Sequence, residues 1–288
     1  MPADRAEGST GGDATEGAMG GDATDGGASM PIKRYGQPED PEVFRWSGGL
    51  TWIAHPDERM QRASHAIVVG ADGRVATDLD STPGSDVTGD GDSTTSGDVW
   101  LVEPLDFVGL DDILSDLGTV AGVLVLAGLH RRDAAQVAER HDVAVHLPGV
   151  VGGLKRQVDA PVEIFEGTLP GTPFRAVPVL DGIPWSEAVL HDEASGTLVA
   201  AEVLVTTDRA TGRGERLSVG PWARLRPPRA ELADLPVERV LVGHGPPVFE
   251  DARAVLDHAL ARSYRGIPGY LVKDLAFMLR AGYVAMRD

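Results

Sequence analysis

The chain has 288 residues, a formal net charge of −18 and no cysteine. That length suits one large domain, and the absence of thiols excludes disulfides, thiolate metal ligands and a cysteine nucleophile. The acidity disfavours a broad nucleic-acid surface, because phosphates would be repelled.

Much of the charge is concentrated in two segments. Residues 1–29 repeat GGDATEG and GGDATDG and hold six acids and one base; residues 78–98 hold six acids and no base. Neither offers apolar surface to offset chain entropy, so both are expected to be disordered, the second as a polar insert. The bases are 23 Arg against 3 Lys. An Asp-rich, Lys-poor balance fits a halophile, with an acidic protein from a GC-rich bacterium as the alternative. The start carries no apolar leader and no stretch is long and uncharged enough to span a membrane, so a cytoplasmic location is expected.

In chain order, LTWIAHP (50–56) and SHAIVVGADGRVATDLD (64–80) read as short β-runs, the latter turning at ADG. VWLVEPL (99–105) resumes a strand after the insert. FVGLDDILSDLG is helical, GVLVLA (122–127) a buried strand, RRDAAQVAERHD (131–142) a helix with Ala134, Val137 and Ala138 inward, and VAVHLP (143–148) a strand: β-α-β-α-β alternation. PVEIFEG and FRAVPVL follow as strands, and EAVLHDEASGTLVAAEVLV (187–205) as a hairpin. PPRAELADLP (227–236) reads as helix, VERVLVG (237–243) as strand, and DARAVLDHALARSY (251–264) as an amphipathic helix. GYLVKDLAFMLRAGYVAM, within 266–288, suggests a C-terminal helix that packs on the domain or forms a homodimer.

Two loops carry candidate chemistry, because each begins where a buried strand ends. They are AGLHRRDA (127–134) and GHGPPV (243–248). With the helix DAAQVAERHD, the strand TLVAAEV and the segment LVGHGPPVFEDARAVLDHAL, they make residues 50–265 resemble the metallo-β-lactamase superfamily. The resemblance implies a four-layer αββα sandwich within a domain spanning 30–265, and hydrolysis by water on one or two zinc ions. It also implies ligands from a His-x-His-x-Asp-His loop, a later His, an Asp at a strand end and a final His before Gly.

Carried over by position, the pattern is eroded. Gly128 falls on the first His, His130 keeps the second, Arg132 replaces the Asp, and Asp133 the last His. Asp181 falls near the later His, Glu202 on the strand-end acid, and His244 keeps the final place. A guanidinium in place of a ligand carboxylate would repel a second cation by several kcal/mol, about 4 at 4 Å and an effective dielectric near 20. The expected set is therefore one zinc, iron or manganese ion on His130, His244 and Glu202 or Asp181, with Asp133, Arg131 and Arg132 as catalytic or substrate-orienting groups. The alternative is no metal at all, with an Arg132–Glu202 ion pair in its place.

Arg131, Arg132 and Asp133 also read as an ordinary first helical turn, or as an anion-binding corner. His55, His65, His146 and His191 are nearby strand-end histidines. His141 and His258 read as helix-face residues. No GxSxG, P-loop or GxGxxG follows a strand.

Three functions remain open on the residues. The first is a mononuclear metallo-hydrolase acting on an anionic or ester-type small substrate. The second is a catalytically inactive binder of an anionic ligand. The third is a structural protein whose pocket is filled, Trp185 being the candidate plug.

Overall fold

The computed structural model describes residues 31–79, 97–182, 185–208, 210–211 and 214–264. The expected acidic tail and C-terminal helix lie outside the described residues, as does most of the insert. Its last two residues, Gly97 and Asp98, already belong to a strand.

Seven strands form one sheet in sequence order: β1 (Glu42–Trp46), β2 (Gly49–Ile53), β3 (Ala63–Val69), β4 (Gly97–Val102), β5 (Gly118–Leu124), β6 (Val145–Pro148) and β7 (Val162–Phe165). Pairing is antiparallel through β4 and parallel from β4 to β7. Between them lie α1 (Leu110–Ser115) and α2 (Ala134–Arg140), and a 3-10 helix (Gly149–Arg156) precedes β7. A second sheet runs β13-β10-β9-β8, from β8 (Arg175–Leu180), β9 (Glu187–Asp192), β10 (Thr197–Ala200) and β13 (Arg239–Val242). β11 (Leu204–Val205) and β12 (Ser218–Val219) make a small ribbon; α3 (Arg229–Leu232) and α4 (Ala252–Arg262) complete the elements.

Strand side chains alternate between faces, and here both faces are apolar. Ala66, Val68, Val99, Leu101 and Val123 pack outward on Leu110 and Leu114 of α1 and Val137 and Ala138 of α2. Their neighbours Ile67, Val69, Trp100, Val102 and Leu124 point inward, against Leu190, Val199 and Leu241 of the second sheet. On the far side Leu198, Ala200, Val240 and Val242 meet Leu232, Leu256 and Leu260 of α3 and α4. Three apolar interfaces between four layers are the αββα sandwich. The doubly apolar strands explain why β4, β5, β10 and β13 read as continuous hydrophobic runs.

Several elements differ from expectation. β1, EVFRW, runs exposed, half-buried, half-buried, exposed and buried over only five residues, without the period-two alternation that would mark a strand. The run after the ADG turn closes through a single bridge, Val69 to Val75, and forms no strand. The helix expected over 227–236 is one turn, Arg229–Leu232, with Pro227 and Pro228 before its first residue and Pro236 four residues past its last. β10 ends at Ala200, so Glu202 stands beyond the strand rather than in it.

Candidate metal centre

The C-terminal ends of β4, β5, β10 and β13 lie at the same edge of the sandwich, and the segments leaving them deliver Glu103, His130, Glu202 and His244. His244 sits between two glycines with distinct reasons. A Cβ on Gly243 would collide with the carbonyl oxygen of Ala201; Gly245 has φ +92° and would place a Cβ on Thr206 and Thr207. Larger residues would push the loop off the β10 edge.

Three side chains converge. Glu202 Oε1 is 2.6 Å from His130 Nε2 and 3.1 Å from His244 Nε2, and the two Nε2 atoms are 3.2 Å apart. The opposite ring nitrogens face acceptors. His244 Nδ1 donates to the Met60 carbonyl at 2.8 Å. His130 Nδ1 lies 3.0 Å from Glu103 Oε2, a buried oxygen on which no donor is aligned for a hydrogen bond. The Met60 carbonyl fixes Nδ1 as the protonated nitrogen of His244; His130 Nδ1 faces Glu103 Oε2 and, at 3.4 Å, Arg132 Nη2, and with the nearer carboxylate setting the tautomer both Nε2 lone pairs point at an anionic oxygen.

Two lone pairs and a carboxylate at such separations require a positive charge among them. It can be a proton or a metal ion. Burial pulls the His130 pKa down, but Glu103 and then Glu202 outweigh it and Arg132, leaving it at about 9. Burial likewise pushes Glu202 up, and the two imidazoles outweigh it, holding the carboxyl well below its usual range. Two imidazole nitrogens and a carboxylate fit a divalent first-row ion, the two-His-plus-carboxylate set. Among the described residues this is the group of His, Asp and Glu side chains with metal-ligand spacing.

The supporting residues are as specific as the cluster. Glu103, which sequence reasoning passed over as part of a strand run, accepts the Leu126 N–H at 2.7 Å and faces His130 with its other oxygen. Its φ of +54° and the +46° of Arg132 are left-handed conformations for non-glycine residues, each costing roughly 1–2 kcal/mol. An acid closing an apolar strand was the available signal. Glu187 at the start of β9 accepts the Ala201 N–H at 2.8 Å and the Glu202 N–H at 3.1 Å, fixing the peptide that carries Glu202. Burial, with the Glu202 charge adding and the Val203 and Ala201 N–H groups opposing, pushes its carboxyl up to about 8.

The other sequence candidates fall as follows. Arg132 is buried but does not pair with Glu202. Its guanidinium donates to the Glu103 carbonyl at 2.9 Å, the Gly243 carbonyl at 2.8 Å and the Ala63 carbonyl, and Nε stands 3.8 Å from Glu103. The expected Arg132–Glu202 stand-in is thus replaced by a knot of three backbone carbonyls joining both sheets. Asp133 lines the cavity beside the cluster and accepts the Asp106 N–H at 2.8 Å. Arg131 is half-exposed and does not reach the cavity lining. Asp181 is exposed on the turn after β8 and does not join the cluster, because the β8 edge lies two strands from β10. Trp185 stacks on Trp222 with centroids 4.5 Å apart instead of plugging the cavity.

Of the remaining histidines, His55 lines the cavity. His65 is buried against Thr51, His146 against Trp100, and His191 contacts the Pro236 carbonyl.

The cavity measures about 450 Å³. One wall is the segment 31–37, which contributes Lys33, Arg34, Tyr35, Gly36 and Gln37. It is stitched down by Arg59 N–H to Pro31 O at 2.8 Å and by the buried pair Glu58–Arg62. Glu58 accepts the Arg34 N–H at 2.8 Å, and Arg62 donates to the Arg34 carbonyl at 2.6 Å.

No family model matches the sequence, and no curated protein does. Solved structures do. The DIM-1 metallo-β-lactamase aligns at 13% identity and TM-score 0.51 over 80% of this chain and 99% of its own. TMB-1 aligns at 14% and 0.51, over 80% and 99%. FIM-1 from Pseudomonas aeruginosa, a metallo-β-lactamase in its mono-zinc form, aligns at 8% and 0.51, over 80% and 98%. The chain therefore has the metallo-β-lactamase fold. At these identities the likeness concerns the fold; the chemistry has to be argued from the site itself.

Proposed function

We propose that this protein is a metal-dependent hydrolase of the metallo-β-lactamase superfamily. It would use a single divalent ion on an anionic or ester-type small substrate. One observation carries the reading: the Nε2 atoms of His130 and His244 converge on Glu202 Oε1 with both Nδ1 atoms already committed to other partners. A zinc, iron or manganese ion held by His130, Glu202 and His244 would serve as a Lewis acid toward the scissile group and water.

The chain's own residues do the rest. Glu103 holds His130 in the tautomer that leaves Nε2 free for the ion. Met60 does the same for His244. Glu187 and Arg132 hold the backbone that carries Glu202 and His244. Asp133, with one oxygen on the Asp106 N–H, lines the cavity where it can relay a proton. Leu105, Met60 and Leu129 supply the apolar part of the lining. Arg132 leaves a second ion no ligand set, and its buried charge opposes one.

The test is metal content by elemental mass spectrometry of the purified protein, beside His130→Ala and His244→Ala. About one equivalent of metal per chain in the wild type, lost in both variants, together with turnover of a panel of small esters, is the expected result. Metal-free wild-type protein that cannot be loaded would overturn the reading, leaving the fold as a binding scaffold.

A further inference from the structure

The lysine and arginines that border the cavity all have partners. Arg34 pairs with Asp57 at 2.5 Å, and Arg62 holds Glu58 through two bonds of 2.7 and 2.8 Å. Arg132 is spread over three carbonyls, and the Lys33 ammonium lies over the Tyr35 ring at 5.0 Å. One buried polar side chain on the same lining stands differently. His55 is 7% exposed, and its ring makes no hydrogen bond, ion pair or ring contact with any described residue. Each of the other seven histidines has such a contact.

Its place is set by the loop that also serves the metal centre. β2 ends at Ile53, and Pro56 confines the backbone of His55 to the extended region. The His55 carbonyl accepts the Glu58 N–H at 3.1 Å, and Glu58 is locked to Arg62. Met60, on the same loop, receives the Nδ1–H of His244. His55 also borders an outer hollow with Pro38, Asp40 and Pro56, so it stands where that hollow joins the cavity of the metal centre. A buried polar group is costly to leave unanswered. One held by a fixed loop on a cavity wall is answered by what enters the cavity.

We propose that His55 is a substrate-binding residue of this cavity. Its imidazole hydrogen-bonds a neutral group of the substrate, a hydroxyl or a carboxamide, while the scissile ester lies at the His130–Glu202–His244 cluster. The placing of the ester rests on the metal-site reading above; the His55 site itself does not. A neutral imidazole offers one donor and one acceptor, the complement of a hydroxyl or carboxamide. With the bordering lysine and arginines held by other partners, the lining suits a neutral polar group better than an anion, which selects the ester-type half of that reading. The orienting role expected of Arg131 or Arg132 passes to His55. The apolar Leu105, Met60 and Leu129 share the lining, which suits a compact carbon skeleton between two polar ends.

The test is titration, followed by NMR, with benzamide and benzyl alcohol, with the hydrocarbon toluene and with the anion benzoate. Wild type, His55→Phe and His55→Gln are each compared metal-loaded and chelator-stripped. The expected result is that benzamide or benzyl alcohol binds the wild type at least about tenfold more tightly than toluene. In the stripped protein it should also bind no less tightly than benzoate. His55→Phe should abolish the preference over toluene. His55→Gln, which keeps a donor and an acceptor, should retain most of it, with the metal uptake of all three unchanged.

A wild type that binds neither neutral polar ligand more tightly than toluene overturns the proposal, as does a His55→Phe protein that keeps the preference. Equal loss in His55→Gln and His55→Phe also overturns it, since the ring then serves packing alone. So does a stripped wild type that takes benzoate best. Any of these results in a protein that loads one ion at the cluster leaves the metal reading intact. A preference that needs His55 in a protein that takes up no metal supports the proposal and removes the metal reading.

Discussion

Loading the centre with zinc should cost His130 a proton. In the metal-free protein Glu103 and Glu202 hold the His130 pKa at about 9 despite burial, so at pH near 7 roughly one molecule in a hundred has the neutral ring that a metal needs. The apparent zinc affinity should therefore rise about tenfold per pH unit from roughly pH 6.5 until it levels near 9. Binding near neutrality should release about one proton from this site. Competition against a chelator of known protonation, over that range, measures the slope; calorimetry in buffers of different ionisation enthalpy counts the proton. An affinity flat between about pH 6.5 and 8.5, or binding without proton release, would refute the placement of Glu103 and Glu202 around a protonated His130. The stability of the metal-free protein should run the other way. Its pKa is raised from 6.5 in the unfolded chain, so the contribution is complete below about pH 6.5 and disappears as the pH rises through about 9, a loss of roughly 3 kcal/mol.

Arg132→Ala should destabilise the protein by about 3–5 kcal/mol in urea unfolding, because it strands three carbonyls and the carboxylate of Glu103 at the junction of the sheets. Millimolar methylguanidinium should restore part of the loss, and a loss under about 1 kcal/mol would remove Arg132 from that structural role. Glu58→Ala should cost a similar amount, about 3–5 kcal/mol, by leaving Arg62 buried without its partner. It should also speed hydrogen exchange across residues 31–37, and unchanged exchange there would show that the wall is held by something else. The Glu58 carboxyl is held below its usual 4.5 by Arg62 and backbone donors that outweigh burial. Its stabilising contribution is therefore present above the unfolded pKa and is lost as pH falls through the folded one, so acid unfolding of the wild type should include a component that Glu58→Gln lacks. Glu187→Ala should lower metal affinity without touching a ligand, by about 10–100-fold in chelator competition, since the peptide of Glu202 loses its anchor.

Much of this architecture is written in local pattern. Runs such as VWLVEPL and GVLVLA are apolar at consecutive positions, which a one-faced sheet does not need and a strand between two layers does. Their order with the intervening helices leaves few sandwiches besides αββα. His130 and His244 were likewise visible, because each stands just beyond an apolar run, where the chain leaves the sheet; Glu202, read within the TLVAAEV strand, was reached only through the family resemblance. Asp181 has that same appearance, an acid after an apolar strand, yet β8 is the edge strand of the second sheet and its end opens to water. Strand order, which no local pattern encodes, separates the two cases. Arg132 shows the limit differently: its charge and position were readable, but not that three carbonyls from β3, β4 and β13 would close around it rather than Glu202. What Glu103 does belongs to the tertiary structure: an acid at the end of an apolar strand could be read, but a left-handed turn at the end of β4 draws it onto His130, and contacts across such distances in sequence come into being only when the layers assemble.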